Sequence, residues 1–224
     1  MLQRICQLVL AISILTLSHT TAANAQTYNA ASFSLPQAPT QINLVNGLDG
    51  FDFTPSADLT VTALGWYDHN GDGLIHVHPV GIYTTSTQTL AAPSAVVTTS
   101  SALDALIDFR FTSVTPFTLT AGTTYTLVGY GEGPDFDPYV NSPSGGITFG
   151  PDVNFLRIRT SRSSGLEFPT TAGEIGLQQG LFFGPNFKFT TAALSTPEPN
   201  ALLMLMGGGA AAGVSLLRRR RKYS

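Results

Sequence analysis

Cysteine is all but absent: the 224 residues contain one, Cys6, inside an apolar run near the N-terminus. A disulfide framework is excluded, so stability must come from an ordinary hydrophobic core. Basic residues are few once the two ends are set aside. Between residues 26 and 196 five of them face thirteen acidic ones, a surplus of eight negative charges. That balance makes nucleic acid an unsuitable partner and leaves divalent cations as counter-ligands. No segment sustains an apolar period of about 3.6 residues, and only residues 100–106 could form a helical turn or so. Internal repeats of about 20 to 50 residues are missing, which disfavours a propeller or solenoid. Neither G-x-S-x-G nor H-E-x-x-H occurs, and the serines are scattered, so the sequence reads as that of a non-enzyme with no catalytic residue to name.

The two ends, by contrast, are directional. Arg4 precedes an uncharged apolar run, ICQLVLAISILTL at 5–17, which is too short to span a bilayer comfortably. Ala23-Asn24-Ala25 then supplies the small-x-small pattern that signal peptidase accepts. Residues 1–25 therefore read as a secretory signal peptide, cleaved after Ala25 and taking Cys6 with it. At the far end, residues 201–217 are uncharged and at the short limit of what crosses a hydrocarbon core of roughly 30 Å. Arg218, Arg219, Arg220, Arg221 and Lys222 follow. Such a block stays on the cytoplasmic side, which puts the preceding domain outside. Gly207, Gly208 and Gly209 suit a permanent anchor poorly, since glycine in a helix interior costs about 1 kcal/mol against alanine.

Pro197-Glu198-Pro199, a short apolar span and a terminal arginine block occur in that order. The arrangement resembles the PEP-CTERM sorting signal of Gram-negative, exopolysaccharide-producing bacteria. The resemblance implies recognition and cutting by an exosortase, with transient inner-membrane anchoring followed by release to the cell surface or the extracellular space. It also implies a division into signal peptide (1–25), central domain (26–192), linker with the Pro-Glu-Pro element (193–200), transmembrane sorting helix (201–217) and basic cytoplasmic tail (218–224).

The central domain is rich in Thr, Val, Ile, Phe and Tyr and is punctuated by Gly and Pro, the composition of short antiparallel strands. Residues 59–63 alternate, and 64–66 continue out of phase, which implies a bulge near Ala63 or burial on both faces. Residues 117–120 and 124–128 flank Ala121-Gly122 as a hairpin would, with Gly122 at positive φ. Further strands are expected at 80–84, 95–99, 155–160 and 187–189, and long loops at 134–144 and 159–175. The fold class is an all-β antiparallel sandwich, jelly-roll-like or immunoglobulin-like. The segments LGWYDHNGDGLIHVHPVGIY, FRFTSVTPFTLTAGTTYTLVGY and FFGPNFKF resemble the uncharacterised β-sandwich domains that often precede such sorting tails. That family brings no catalytic residues with it.

Three constellations could carry chemistry. Asp68-His69-Asn70-Gly71-Asp72-Gly73 fits the opening of a calcium loop, with side-chain oxygens of Asp68, Asn70 and Asp72 and the carbonyl of Leu74 as ligands. Position 12 is Pro79, so a standard EF-hand is excluded, and Asp135 and Asp137 would have to complete the shell. His69, His76 and His78 lie within ten residues, and strand alternation would put the last two on one face. Tyr139 and Trp66 are the candidates for stacking on a sugar ring, among aromatics that mostly belong to the core. The functional expectation is an exported, non-catalytic structural or adhesive component associated with exopolysaccharide. The alternative is a carbohydrate-binding module for that polymer.

Overall fold

β-branched and aromatic residues pack well on a pleated surface, and the segments rich in them are strands. The structure, a computed structural model, describes residues 26–35, 46–132, 140–141, 146–173 and 182–191. Within these lie β1 (Thr27–Asn29), β2 (Ala31–Phe33), β3 (Gly47–Pro55), β4 (Leu59–Tyr67), β5 (His78–Thr84), β6 (Thr89–Leu90), β7 (Ala95–Val97) and β8 (Ala102–Asp104). There follow β9 (Phe109–Leu119), β10 (Tyr125–Gly131), β11 (Val140–Asn141), β12 (Ile147–Phe149), β13 (Val153–Arg162), β14 (Thr171–Ala172), β15 (Phe182–Phe183) and β16 (Pro185–Thr191). The signal peptide, the Pro-Glu-Pro element, the sorting span and Tyr139 lie outside the described residues, which fall in the compact unit Ala25–Ala192.

One sheet has the order β1-β16-β4-β9-β8; the other runs β14-β13-β3-β10-β5-β6, with β7 also on the edge of β5. Two small ribbons, β2-β12 and β11-β15, accompany them. The ladders are antiparallel. β3, β5 and β10 belong to the larger sheet, and β4, β9 and β16 to the smaller. The chain therefore crosses the sandwich repeatedly, in the jelly-roll manner. The expected all-β sandwich is the fold found.

The two sheets meet through aromatic side chains. Phe53 of β3 packs against Phe187 of β16, ring centroids 5.2 Å apart, and Phe187 against Phe189 at 5.7 Å. Phe51, Phe53, Phe187 and Phe189 are all at most 1% exposed. Fully burying such a side chain contributes about 1.5–3 kcal/mol, which is how a domain without disulfides holds together. The phase change expected in β4 is real. Val61 faces Phe189 and Leu64 faces Phe187, so Thr62 is an extra residue in the ladder to β16. The inward positions accordingly move from Leu59 and Val61 to Leu64 and Trp66, each of which is buried.

The larger sheet is covered on both faces. β10 is buried along its whole length, and a second apolar cluster of Leu48, Tyr83, Val128 and Tyr130 packs against Leu166 and Phe168. Both of those come from the 163–170 connection, and Phe168 meets Tyr83 edge-on at 5.9 Å.

Three local expectations are corrected. The segments around Ala121-Gly122 do not form a hairpin: β9 pairs with β4 and β8, and β10 with β3 and β5. Gly122 does adopt φ +75°, but its N–H bonds the Pro55 carbonyl at 2.9 Å and the Ala121 N–H bonds Asp58 Oδ1 at 2.9 Å. The turn thus carries the chain from one sheet to the other. Residues 102–104, read as part of a helical turn, are the edge strand β8, because their backbone pairs with residues 109–111 of β9. The 159–175 segment is a loop only in its middle, since β13 continues to Arg162 and β14 returns to pair with Arg159 and Thr160.

Candidate functional site

The DHNGDG stretch connects β4 to β5 and turns tightly through a single 3-10 turn, His69–Gly71. Asn70 and Gly71 both take positive φ, a conformation asparagine and glycine tolerate. What organises the loop is an arginine. Asp68, 1% exposed, accepts the Arg110 Nε–H on Oδ2 and the Gly73 N–H on Oδ1 at 3.1 Å. The rest of the guanidinium donates to the carbonyls of Thr99 (2.7 Å), Ser101 (3.1 Å) and, at a long 3.5 Å, Gly71. Arg110 thereby ties the 68–73 loop to the 98–101 turn.

Asp135 and Asp137, expected to complete a calcium shell, lie outside the described residues; the other expected side-chain ligands are placed as follows. Asp68, the first ligand expected, has its carboxylate taken up by a guanidinium and a backbone N–H. Asn70 and Asp72 are exposed. Among the described residues no group of three or more His, Cys, Asp or Glu is placed to hold a metal ion. A buried carboxylate needs a compensating cation, and here β9 supplies it.

Asp108 joins the cluster from the turn before β9. Its backbone carbonyl accepts the Asp68 N–H at 2.8 Å. Burial raises the Asp108 carboxyl above its ordinary range and the neighbouring Asp68 adds to that, while a hydrogen bond from the Asn70 backbone and the nearby His69 act in the opposite sense. Tyr67, buried beside it, shares a 3.0 Å hydrogen bond with His69 Nδ1. Burial, then Asp108 and Asp68, push its phenol well above the usual range. Neither Arg110 nor Asp108 was among the sequence candidates. The signal was there in Phe109-Arg110-Phe111, because a cation between two inward aromatics must find an acid.

The histidines are not brought together as ligands. His78 is fully buried, stacked on Trp66 with centroids 4.1 Å apart and planes at 4°, and its Nδ1 lies 3.3 Å from the Tyr130 carbonyl. His76 is partly exposed. The assignment of Trp66 to sugar stacking is likewise corrected: the side chain is 0% exposed. One ring face lies on His78, and the indole fills space left by missing side chains at Gly129 and Gly184, where a Cβ would come within 2.3 and 2.4 Å of it. Its Nε1 makes no hydrogen bond, so the ring is a core element with no polar reach to a ligand.

Two further charge clusters lie outside this loop. Lys188 Nζ bonds Asp104 Oδ2 at 2.8 Å and sits 4.6 Å from the Phe111 ring centroid. On the larger sheet, Asp52 of β3 is 1% exposed. It accepts Thr126 Oγ1 at 2.6 Å and Arg159 Nε at 3.0 and 2.9 Å, with Arg157 Nε 3.3 Å away. In the first, a lysine of β16 reaches across the Phe111 ring of β9 to an aspartate of β8; in the second, one carboxylate of β3 faces two guanidiniums of the adjacent β13.

Fold and C-terminal tail together define a class: an all-β sandwich with its own core, followed by a sorting tail. The PEP-CTERM protein-sorting motif matches residues 195–222 of this chain, the stretch holding Pro197, Glu198, Pro199 and Arg218 to Arg221. The chain thus carries the signal by which exosortase substrates are marked, and it is an exported protein processed at the membrane and displayed extracellularly or on the cell surface. No curated protein and no solved structure matches it.

Proposed function

We propose that the sandwich domain is a non-catalytic structural or adhesive component of the extracellular matrix, held in association with exopolysaccharide after signal peptidase and exosortase have removed its two ends. The observation that carries this reading is the sorting motif at 195–222 joined to a domain whose buried charges serve the fold. Asp68 is matched by Arg110, Asp104 by Lys188, and Asp52 by Arg159 and Arg157. An ion pair such as Asp68 with Arg110, whose other hydrogen bonds go to backbone groups, fixes a conformation and has little freedom to move a proton.

The test is co-sedimentation of the secreted protein with exopolysaccharide purified from the same cells, followed by sizing of the polymer. The protein should pellet with the polymer and leave its chain length unchanged. A protein that stays in the supernatant contradicts the association, and a shortened polymer contradicts the non-catalytic role.

A further inference from the structure

Three of the five basic residues between positions 26 and 196, namely Arg157, Arg159 and Arg162, fall on β13. The other two are matched by Asp68 and Asp104. Alternation along a strand puts Arg157 and Arg159 on one face of the larger sheet, opposite Asp52 and Gly50 of β3. Among the described acids, Asp52 alone pairs with both. One carboxylate therefore serves two guanidiniums, and the cluster carries one positive charge in excess.

The two arginines share Asp52 unequally. Arg159 is engaged through Nε and Nη2, at 2.9 to 3.0 Å, and its guanidinium lies 5.2 Å from the centroid of the Phe168 ring. Arg157 approaches the same carboxylate only through Nε, at 3.3 Å and without a hydrogen bond, and that atom is buried. No acceptor among the described residues bonds its terminal nitrogens, and the side chain is 31% exposed. Its inner end is fixed by the Asp52 charge of the adjacent β3, on a stretch of β13 that β14 does not reach, and its outer end faces solvent.

We propose that Arg157 is an anion-binding group, and that the ligand it takes is a carboxylate of an acidic, uronate-bearing polysaccharide. A planar guanidinium meets a carboxylate through two parallel N–H bonds, a geometry that an ammonium cannot offer. The excess charge is single, and the surrounding domain has eight surplus negative charges, screened beyond about 8 Å at physiological salt. A polymer with one carboxylate per sugar can place one of them on Arg157 and keep the next at a distance. Duplex DNA, with a charge about every 1.7 Å along its axis, would press many phosphates against an acidic surface. The inference rests on the proposed association with exopolysaccharide and names the class of that polymer.

The test is affinity electrophoresis of the secreted protein in gels containing polygalacturonate or neutral dextran, with the wild type, Arg157→Gln and Arg162→Gln. Arg162 is an exposed charge on the same strand and controls for general attraction. The wild type should be retarded by the polyuronate and not by dextran. Arg157→Gln should weaken binding about tenfold, as loss of a charge-assisted pair does, with Arg162→Gln shifting it less than about twofold. Equal losses in the two variants, or retardation by dextran that equals that by polyuronate, would overturn the assignment. Melting curves establish that each variant is folded. If Arg157→Gln is not, Arg157→Lys takes its place, since it keeps the charge beside Asp52 and loses the fork, and the same weakening is expected. Retention of Arg157→Gln on the native exopolysaccharide at wild-type strength would overturn the site and leave the association standing. Absence of wild-type retention there would overturn the association, and the polyuronate gel would still decide Arg157.

Discussion

Arg110 and Trp66 show how much of this fold hangs on single side chains. Arg110 enters a strand between two phenylalanines and ends among one carboxylate and three carbonyls. Replacing it with methionine leaves Asp68 charged, buried and unpaired, and breaking such a pair costs about 3–5 kcal/mol. Chemical denaturation of Arg110→Met should show that loss; a change under about 1 kcal/mol would mean the loop does not depend on the pair. The same geometry predicts that millimolar calcium leaves the melting temperature unchanged relative to chelator, because the first ligand position is already occupied by a guanidinium. A calcium-dependent rise would contradict that. Asp108 offers a pH test with a definite sign. Its folded-state pKa is raised from 3.8 by burial and by Asp68, so its contribution to stability is fully present below pH 3.8 and is lost as the pH rises through the folded value. Asp108→Asn keeps an acceptor for the Asn70 N–H and a residue suited to the positive φ at this position. The variant should be more stable than wild type at pH 7 and closer to it at pH 3. Urea midpoints that differ equally at the two pH values would rule this titration out.

At the scale of elements, β4 is the strand whose register decides the core. Thr62 shifts the inward set by one residue, and a one-residue slip exchanges the faces of a strand. Because Thr62 is the extra residue, its deletion should leave Val61, Ala63 and Leu64 in unbroken alternation, with Leu64 and Trp66 still inward beside Phe187, and unfolding should stay cooperative; a deletion variant that loses cooperative melting and its buried tryptophan would contradict this account of the bulge. The phase break was legible in the sequence because it is local, as were the β-branched and aromatic runs that marked segments of β4, β5, β7, β9, β10, β13 and β16. The edge strands β8 and β14, which pair with residues only 5 to 13 positions away, were missed because they are two or three residues long and exposed or half-exposed; the other failures involve partners far along the chain. Nothing near Ala121-Gly122 reveals that Pro55 and Asp58 hold the turn, so two strands that looked like hairpin arms lie in different sheets. DHNGDG has the spacing of a cation loop, but the cation it received is a side chain 42 residues away. Trp66 looked available for a sugar because the glycines that make room for its ring, Gly129 and Gly184, are distant in sequence and close only once the sheets have packed.

At the scale of the whole molecule, a sandwich domain precedes a sorting motif at residues 195–222. We propose that Cys6, the single cysteine of the sequence, leaves with a cleaved signal peptide, so reducing agent should leave the melting temperature of the secreted protein unchanged, and a clear shift would point to a covalent link. The central claim is that the sorting motif at 195–222 directs export and is then removed, leaving the domain outside the cell. Intact-mass spectrometry of the protein recovered from the extracellular and surface fractions of its native host tests both processing steps in one measurement. The account predicts a chain that begins at Gln26, ends near Pro197-Glu198-Pro199 and has lost Arg218 to Lys222. A surface or extracellular species whose mass includes that basic block would contradict it.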